Sequence, residues 1–298
     1  MNKSIYFSII FPTNNRADDV SETLSQLQKS TFKNFEVIII DNNSTDNTYA
    51  ISKKYHFVKY IKNDFNNYVV GARNQGAKIA NGKIIFNIDD DSFPDIDVMQ
   101  NAYEIFEKNQ DIGIISCGIK NYETFKNNIF STKNSTLKIN STETLTWSGC
   151  GGFVRKSLYD KYGPWDESGI HGFYELLTCM WSLKENKKIM NFDNIYVFHK
   201  VAAGGIGGLL RRNDKMIDDE VFANSFFILK YYGYIELIKK MTELFSVISC
   251  ATIEQGSMVY IRSYIKLLSN LRVILSNRKK YPTCVTDKVR LSFNFIGK

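Results

Sequence analysis

The first 120 residues switch repeatedly between two periods, and this alternation limits the possible folds more than any other feature. Nearly continuous apolar runs occur at 6–11, 35–40, 58–61, 83–88 and 112–117. Runs this short, apolar at every position, suit the buried strands of a parallel sheet. Segments with helical spacing lie between them. One covers about 18–30, with Val20, Leu24 and Leu27 on one face, and another follows the N-cap chemistry of Ser44-Thr45-Asp46 to about 54. Two more cover roughly 70–80 and 96–109. Strands alternating with helices predict a doubly wound α/β sheet that binds ligands at the carboxyl ends of its strands. Polar clusters stand at those ends: Pro12-Thr13-Asn14-Asn15-Arg16, Asp41-Asn42-Asn43-Ser44 and Asp89-Asp90-Asp91-Ser92.

After residue 117 the pattern changes. Residues 118–146 are polar and β-branched, which predicts antiparallel strands or a loop. A glycine-rich stretch at 147–153 precedes a short helix at about 156–162, then a helix at 174–185 and a strand at 194–199. Glycines recur at 204–208, and helical periodicity runs from 218 to about 277. The chain of 298 residues therefore reads as one α/β domain over 1–215, with halves at 1–120 and 121–215, followed by a helical region at 216–298.

The net charge of +7 is concentrated in that last region. From Lys230 onward there are 12 Lys and Arg against 4 Asp and Glu, and 26 against 27 before it. A basic helical tail predicts either a solvated face, contact with an anionic membrane surface or acidic partner, or association between copies of the chain. The five cysteines are odd in number and widely spaced, which fits reduced thiols in a cytosolic protein rather than a disulfide framework. The sequence shows neither a signal-peptide pattern nor a run of the ~20 apolar residues that a membrane span needs. These features predict a cytoplasmic location, at most peripheral to the inner face of a membrane.

Three consecutive carboxylates after a buried strand are costly, because like charges at this spacing raise one another's pKa. A divalent cation bound through hard oxygens removes that cost and can itself hold a diphosphate. The structural alternative is an acidic loop capping a helix, with Asp91 or Ser92 as N-cap and Pro94 and Asp95 in the first turn. Asp41 ends the second strand, where a carboxylate can accept hydrogen bonds from a base or ribose, or can simply close an Asx turn. Arg73, in Gly71-Ala72-Arg73-Asn74-Gln75-Gly76, opens a helix and carries the planar donor fork suited to phosphate.

These motifs, taken in order, resemble the family 2 glycosyltransferases: Ser8-Ile9-Ile10-Phe11-Pro12-Thr13-Asn14-Asn15-Arg16, Val37-Ile38-Ile39-Ile40-Asp41-Asn42-Asn43-Ser44, Ala72-Arg73-Asn74-Gln75-Gly76 and Ile85-Phe86-Asn87-Ile88-Asp89-Asp90-Asp91. The resemblance covers about 5–200. It implies the GT-A fold, a Rossmann-like, mostly parallel sheet flanked by helices, here with a C-terminal helical extension. It implies a nucleoside-diphosphate sugar donor, with UDP the expected nucleotide, and a glycan or lipid-linked acceptor; no nucleic-acid partner is expected. By the same resemblance Pro12, Thr13, Asn14, Arg16 and Asp41 hold the base and ribose, and Arg73 lies near the base or phosphates. Asp89 and Asp90 contact the ribose and organise the site, and Asp91 coordinates Mn2+ or Mg2+ on the diphosphate.

The second half of the pattern is altered. Gly149-Cys150-Gly151-Gly152-Phe153 and Gly163-Pro164-Trp165-Asp166-Glu167 fit the family, and Glu175 falls on its catalytic acid position. Tyr174, however, stands where the first acid of a pair is usual, and Leu177 and Trp181 occupy further polar positions. The resemblance implies Glu175 as general base, with Asp166 or Glu167 in reserve, and His199 as a second metal ligand. Arg211 and Arg212 are candidates to close over the diphosphate, and His56 and His171 read as structural. The rivals are a sugar-phosphate nucleotidyltransferase, a dinucleotide-dependent oxidoreductase and a binding scaffold on the same fold. The first two want glycine-rich loops directly after the first strand, where Pro12-Thr13-Asn14 stands instead.

Overall fold

A computed structural model describes residues 4–122, 140–167 and 173–200, together with 231, 241–242 and 265. The expected strands and helices alternate through the first half: β1 (Phe7–Thr13), α1 (Ala17–Gln28), β2 (Phe35–Asp41), α2 (Thr48–Ser52), β3 (Val58–Lys62), α3 (Tyr68–Ile79) and β4 (Ile84–Ile88). Then follow β5 (Ser92–Pro94), α4 (Val98–Lys108), β6 (Ile112–Asn121), β7 (Ser141–Glu143), β8 (Gly151–Arg155), α5 (Lys156–Tyr162), α6 (Phe173–Lys184) and β9 (Lys188–His199).

The strands form one mixed sheet in the order β3-β2-β1-β4-β8-β6-β9-β5, with β7 pairing an earlier stretch of β9 on the same edge as β5. The β1–β4 block is parallel. The sequence called strand 112–117 parallel, and β6 does point the same way as that block. It pairs parallel with β9 on one side, while on the other lies β8, which runs antiparallel to both β4 and β6. The central strands are buried at every position because helices cover both faces of the sheet, and Phe7, Ile9, Phe11, Val37, Ile39 and Phe86 share one core. β3 departs from the expected buried run: it is an edge strand, with Val58, Tyr60 and Ile61 partly buried and Lys59 and Lys62 exposed.

Two strands the sequence did not reveal are β5 and β8. The first two residues of β8, Gly151 and Gly152, carry no side chain that periodicity could register. A Cβ on Gly152 would lie 2.2 Å from Cε3 of Trp147, so the indole covers this point of the sheet at a range only glycine allows. Gly152→Ala is therefore expected to cost about 1–3 kcal/mol through overpacking, read as a lower thermal midpoint.

By its contacts the chain divides into Met1–Trp165 with Tyr174–Lys200, and Asp166–Phe173 with Val201–Lys298. The first unit holds the whole sheet. In the second, the Tyr231 hydroxyl donates to Asp166. The expected boundary at 215, the glycines at 204–208, Arg211, Arg212, His171, most of 118–146 and all but isolated positions of the C-terminal helical region lie outside the described residues. Among the described residues, no helix is long and apolar enough to cross a membrane.

Candidate active site

The parallel register brings the polar strand ends together. Thr13 pairs with Asp41 across β1 and β2, and β4 delivers Asp89-Asp90-Asp91 beside them. The capping explanation for the three acids does not hold. Ser92–Pro94 forms β5, paired antiparallel to β9, and α4 begins only at Val98. The acids occupy a turn between two strands.

Each acid has a different environment. Asp89 is the most exposed; its Oδ1 accepts from Arg73 Nη2 at 2.6 Å and its Oδ2 lies 3.8 Å from His199 Nε2. Asp90 is buried, accepts from Thr13 Oγ1 at 2.8 Å and has Arg16 Nε 3.4 Å away. Burial, with Asp91 and Asp89 adding to it, pushes the Asp90 pKa up to about 7 against Arg16 and Thr13. Asp91 is also buried, but His199 Nε2 at 3.1 Å and Arg16 Nη2 at 2.6 Å outweigh that burial and hold its pKa below the usual value. The same contact raises the pKa of His199, against the effect of its own burial. The turn is fastened from α1, where Thr23 Oγ1 donates to the carbonyl of Asp90 at 2.8 Å and Gln26 Nε2 to that of Pro94 at 3.1 Å. Lys200 fastens the end of β9. Its N–H donates to the Asp91 carbonyl at 3.2 Å, and its ammonium bonds Asp19 at 2.6 Å and Glu22 at 3.0 Å.

Two expected nucleotide contacts take other positions. Arg73 is fully buried, and its guanidinium donates to the carbonyls of Ile10, Ile88 and Gly149, to Asn87 Oδ1 and to Asp89. Rather than offering its fork to a phosphate, Arg73 is the buried counter-charge beneath the acids. It is turned inward because α3 packs on β1 and β2. Asp41 is also fully buried; its Oδ1 accepts from Ser44 N–H at 2.7 Å and its Oδ2 from the Tyr60 hydroxyl. It thus closes the Asx-type turn that shapes the strand end. Pro12 is half-buried near the end of β1, and Asn14, just past that strand, is exposed, with its Nδ2 donating to the Asn42 carbonyl at 2.6 Å.

Glu175, in the first turn of α6, joins the site through Gly149. Its Oε1 accepts from Gly149 N–H at 3.2 Å, and the Gly149 carbonyl accepts from Arg73. A Cβ on Gly149 would lie 1.6 Å from the Tyr174 hydroxyl and 2.6 Å from Glu175 Oε1, so only glycine permits this approach. Glu175 Oε2 is buried and has no hydrogen-bond partner among the described residues. Burial pushes the Glu175 pKa up to about 7, against hydrogen bonding and the charge of Arg73. Tyr174, in the place of an acid, is buried with the Arg73 guanidinium 5.3 Å from its ring centre. Asp166 and Glu167 belong to the other unit. His56 is exposed and packs edge-on to Phe57.

Sequence reasoning missed Thr23, Gln26, Lys200 and Cys150. The first two carried a signal, being polar side chains on the otherwise apolar stripe of Val20, Leu24 and Leu27. Cys150 was legible only from long-range strand pairing: β4 and β8 pair Ile88 with Gly151, and the turn just before β8 brings Cys150 near Asp89.

A family model described as glycosyl transferase family 2 matches residues 8–163. The Escherichia coli protein named UDP-Glc:alpha-D-GlcNAc-diphosphoundecaprenol beta-1,3-glucosyltransferase WfgD is 30% identical over 123 residues, 41% of this chain and 47% of that protein. The chain spans between about a third and a half of the length of the first curated relatives it matches. Among solved structures, S. aureus TarS 1-349 in complex with UDP-GlcNAc matches with a TM-score of 0.55 at 17% identity, over 91% of each chain. The mannosyltransferase PcManGT from Pyrobaculum calidifontis, solved with GDP-Man and Mn2+, matches with a TM-score of 0.57 at 14% identity, over 97% of this chain and 88% of its own. At such identities the likeness speaks to the fold, which is GT-A. The family match takes in β2, α3, the three acids, β8 and nearly all of β1, more than half of the chain, and on that ground the chain belongs to glycosyl transferase family 2.

Proposed function

We propose that the chain is a metal-dependent, inverting glycosyltransferase, moving a sugar from a nucleoside-diphosphate sugar to a hydroxyl of a glycan or lipid-linked acceptor. The observation that carries this reading is the meeting of Asp91 Oδ1, Asp89 Oδ2 and His199 Nε2 at the strand ends, 3.1 and 3.8 Å apart along the two imidazole contacts. Adjacent ligands around a six-coordinate ion with bonds of about 2.1 Å stand roughly 3 Å apart, so the Asp91 Oδ1 and His199 Nε2 pair fits Mn2+ or Mg2+, and Asp89 Oδ2 stands farther off, 3.8 Å from the imidazole. Asp91 and His199 would hold the ion, with Asp89 beside them. Bound there, the ion supplies Lewis-acid stabilisation of the negative charge on a departing diphosphate.

The chain's own residues do the rest. Thr13 and Arg16 hold Asp90 and Asp91 in place. The loop of Pro12, Thr13 and Asn14, with Asp41 shaping its neighbour, forms the floor for base and ribose. Arg73 sets the position of Asp89 and of the Gly149 carbonyl. Glu175, whose Oε2 has no hydrogen-bond partner among the described residues and whose pKa is pushed up to about 7, is the group suited to take the acceptor hydroxyl proton. As that proton moves to Glu175, the acceptor oxygen bonds the anomeric carbon, whose bond to the diphosphate oxygen breaks. One displacement of this kind inverts the centre.

UDP-glucose in a relative's name and UDP-GlcNAc in a structural neighbour support UDP as the expected nucleotide. The diphosphoundecaprenol acceptor in that relative's name and the basic region after residue 230 support a lipid-linked acceptor at the inner membrane face. The test is nucleotide release from UDP-, GDP- and dTDP-sugars with Mn2+, with and without lipid-linked acceptors. Mn2+-dependent transfer, or slow hydrolysis without acceptor, is expected from one donor. Donor binding with neither reaction would leave a scaffold on a transferase fold.

A further inference from the structure

The turn before β8 brings Cys150 close to Asp89 and His199. Ligand atoms of Asp89, Cys150 and His199 lie within 4.8 Å of one another, each from a different strand end. Arg73 occupies Asp89 Oδ1 and leaves Oδ2 facing the imidazole. We propose that Asp89, Cys150 and His199 form a three-donor site for a thiophilic divalent cation, Zn2+ foremost, which overlaps the oxygen and nitrogen site at His199.

A sulfur, a nitrogen and a carboxylate oxygen are a common donor set for tetrahedral zinc and an unusual one for Mg2+ or Mn2+. With bonds of about 2.0–2.3 Å, tetrahedral ligands stand roughly 3.3–3.8 Å apart, so the three donors need close by only about 1 Å. Rotation of Cys150 Sγ away from Ser148 Oγ, now 3.1 Å distant, is the movement available. On binding, the Cys150 thiol proton leaves to solvent, a sulfur–zinc bond forms and no electrons change hands. A hard cation cannot drive that exchange, so Mg2+ and Mn2+ pass Cys150 by while Zn2+ recruits it. Because His199 serves both sets, the two kinds of ion exclude each other, and intrinsic affinity favours zinc.

Co2+ tests the proposal, because its absorption reports its ligands. The full chain with one equivalent of Co2+ is expected to show a thiolate-to-cobalt charge-transfer band in the near ultraviolet, bleached by Zn2+. Cys150→Ser should lose the band, while the double variant Cys250→Ser/Cys284→Ser keeps it. A second reading needs no variant: Zn2+ should slow alkylation of Cys150 in the parent protein about tenfold or more, because metal-bound sulfur is not a free thiolate. Absence of the band, its survival in Cys150→Ser or its loss in the double variant would overturn the proposal. So would Cys150 alkylation at the same rate with and without Zn2+. None of these readings involves sugar transfer, so they stand or fall apart from the proposed activity.

Discussion

Glu175→Gln is expected to cut turnover by about 10²–10⁴-fold, the usual contribution of a general base, while leaving nucleotide affinity within a few-fold. Glutamine keeps the shape and the acceptor oxygen that meets Gly149 N–H, so Gly149 and Arg73 have no reason to move. It cannot take a proton. The same residue sets the pH dependence of turnover. A base must be ionised, and burial holds the Glu175 pKa at about 7, so the rate should fall about tenfold per pH unit below neutrality. Stability runs the other way. A carboxyl whose folded pKa is raised above the ordinary 4.5 favours the protonated fold, so ionisation between pH 4.5 and 7 removes stability as pH rises. The variant, neutral throughout, is therefore expected to melt higher than the parent at pH 8 and level with it near pH 4. An active Glu175→Gln protein would move the base to Asp166 or Glu167.

Asp91→Asn is expected to weaken Mn2+ binding by about 100-fold or more, beyond the 10–100-fold typical of a group that only supports a ligand. The amide preserves the size of the side chain and can still accept from Arg16, but it brings no charge to a cation. Its effect is enlarged by what remains, since Arg16 and a His199 no longer matched by an anion then face the ion. Titration of Mn2+ followed by electron paramagnetic resonance measures this directly. Equal affinity in the two proteins would remove Asp91 from the metal site.

Much of this arrangement was legible in the residues alone. The β1–β4 alternation, α1 and the gathering of Thr13, Asp41 and the three acids follow from period and position, because parallel strands all end on one side. The direction of a side chain was less legible. An arginine opening a helix reads as a phosphate donor, yet Arg73 points into the sheet, where Asp89 and three carbonyls need a cation. Asp41 offered a base contact or a turn, and its burial beside Tyr60 and Ser44 shows the turn. β8 was invisible because its glycines carry no periodicity, and with it went the pairing with β4 that brings Cys150 near Asp89. Long-range pairing of that kind has no local sequence signal.

The most direct test of the account is a thermal-shift panel of UDP-, GDP- and dTDP-sugars, with a CMP-sugar as the monophosphate control, each with Mn2+ and with chelator. A ligand that binds only the folded state at 100 times its dissociation constant adds about 2.7 kcal/mol. In a domain of this size that raises the melting temperature by roughly 5–10 °C. The account predicts such a rise for one diphosphate sugar, lost with chelator and absent for the CMP-sugar. No shift with any diphosphate sugar in the presence of Mn2+ would contradict it.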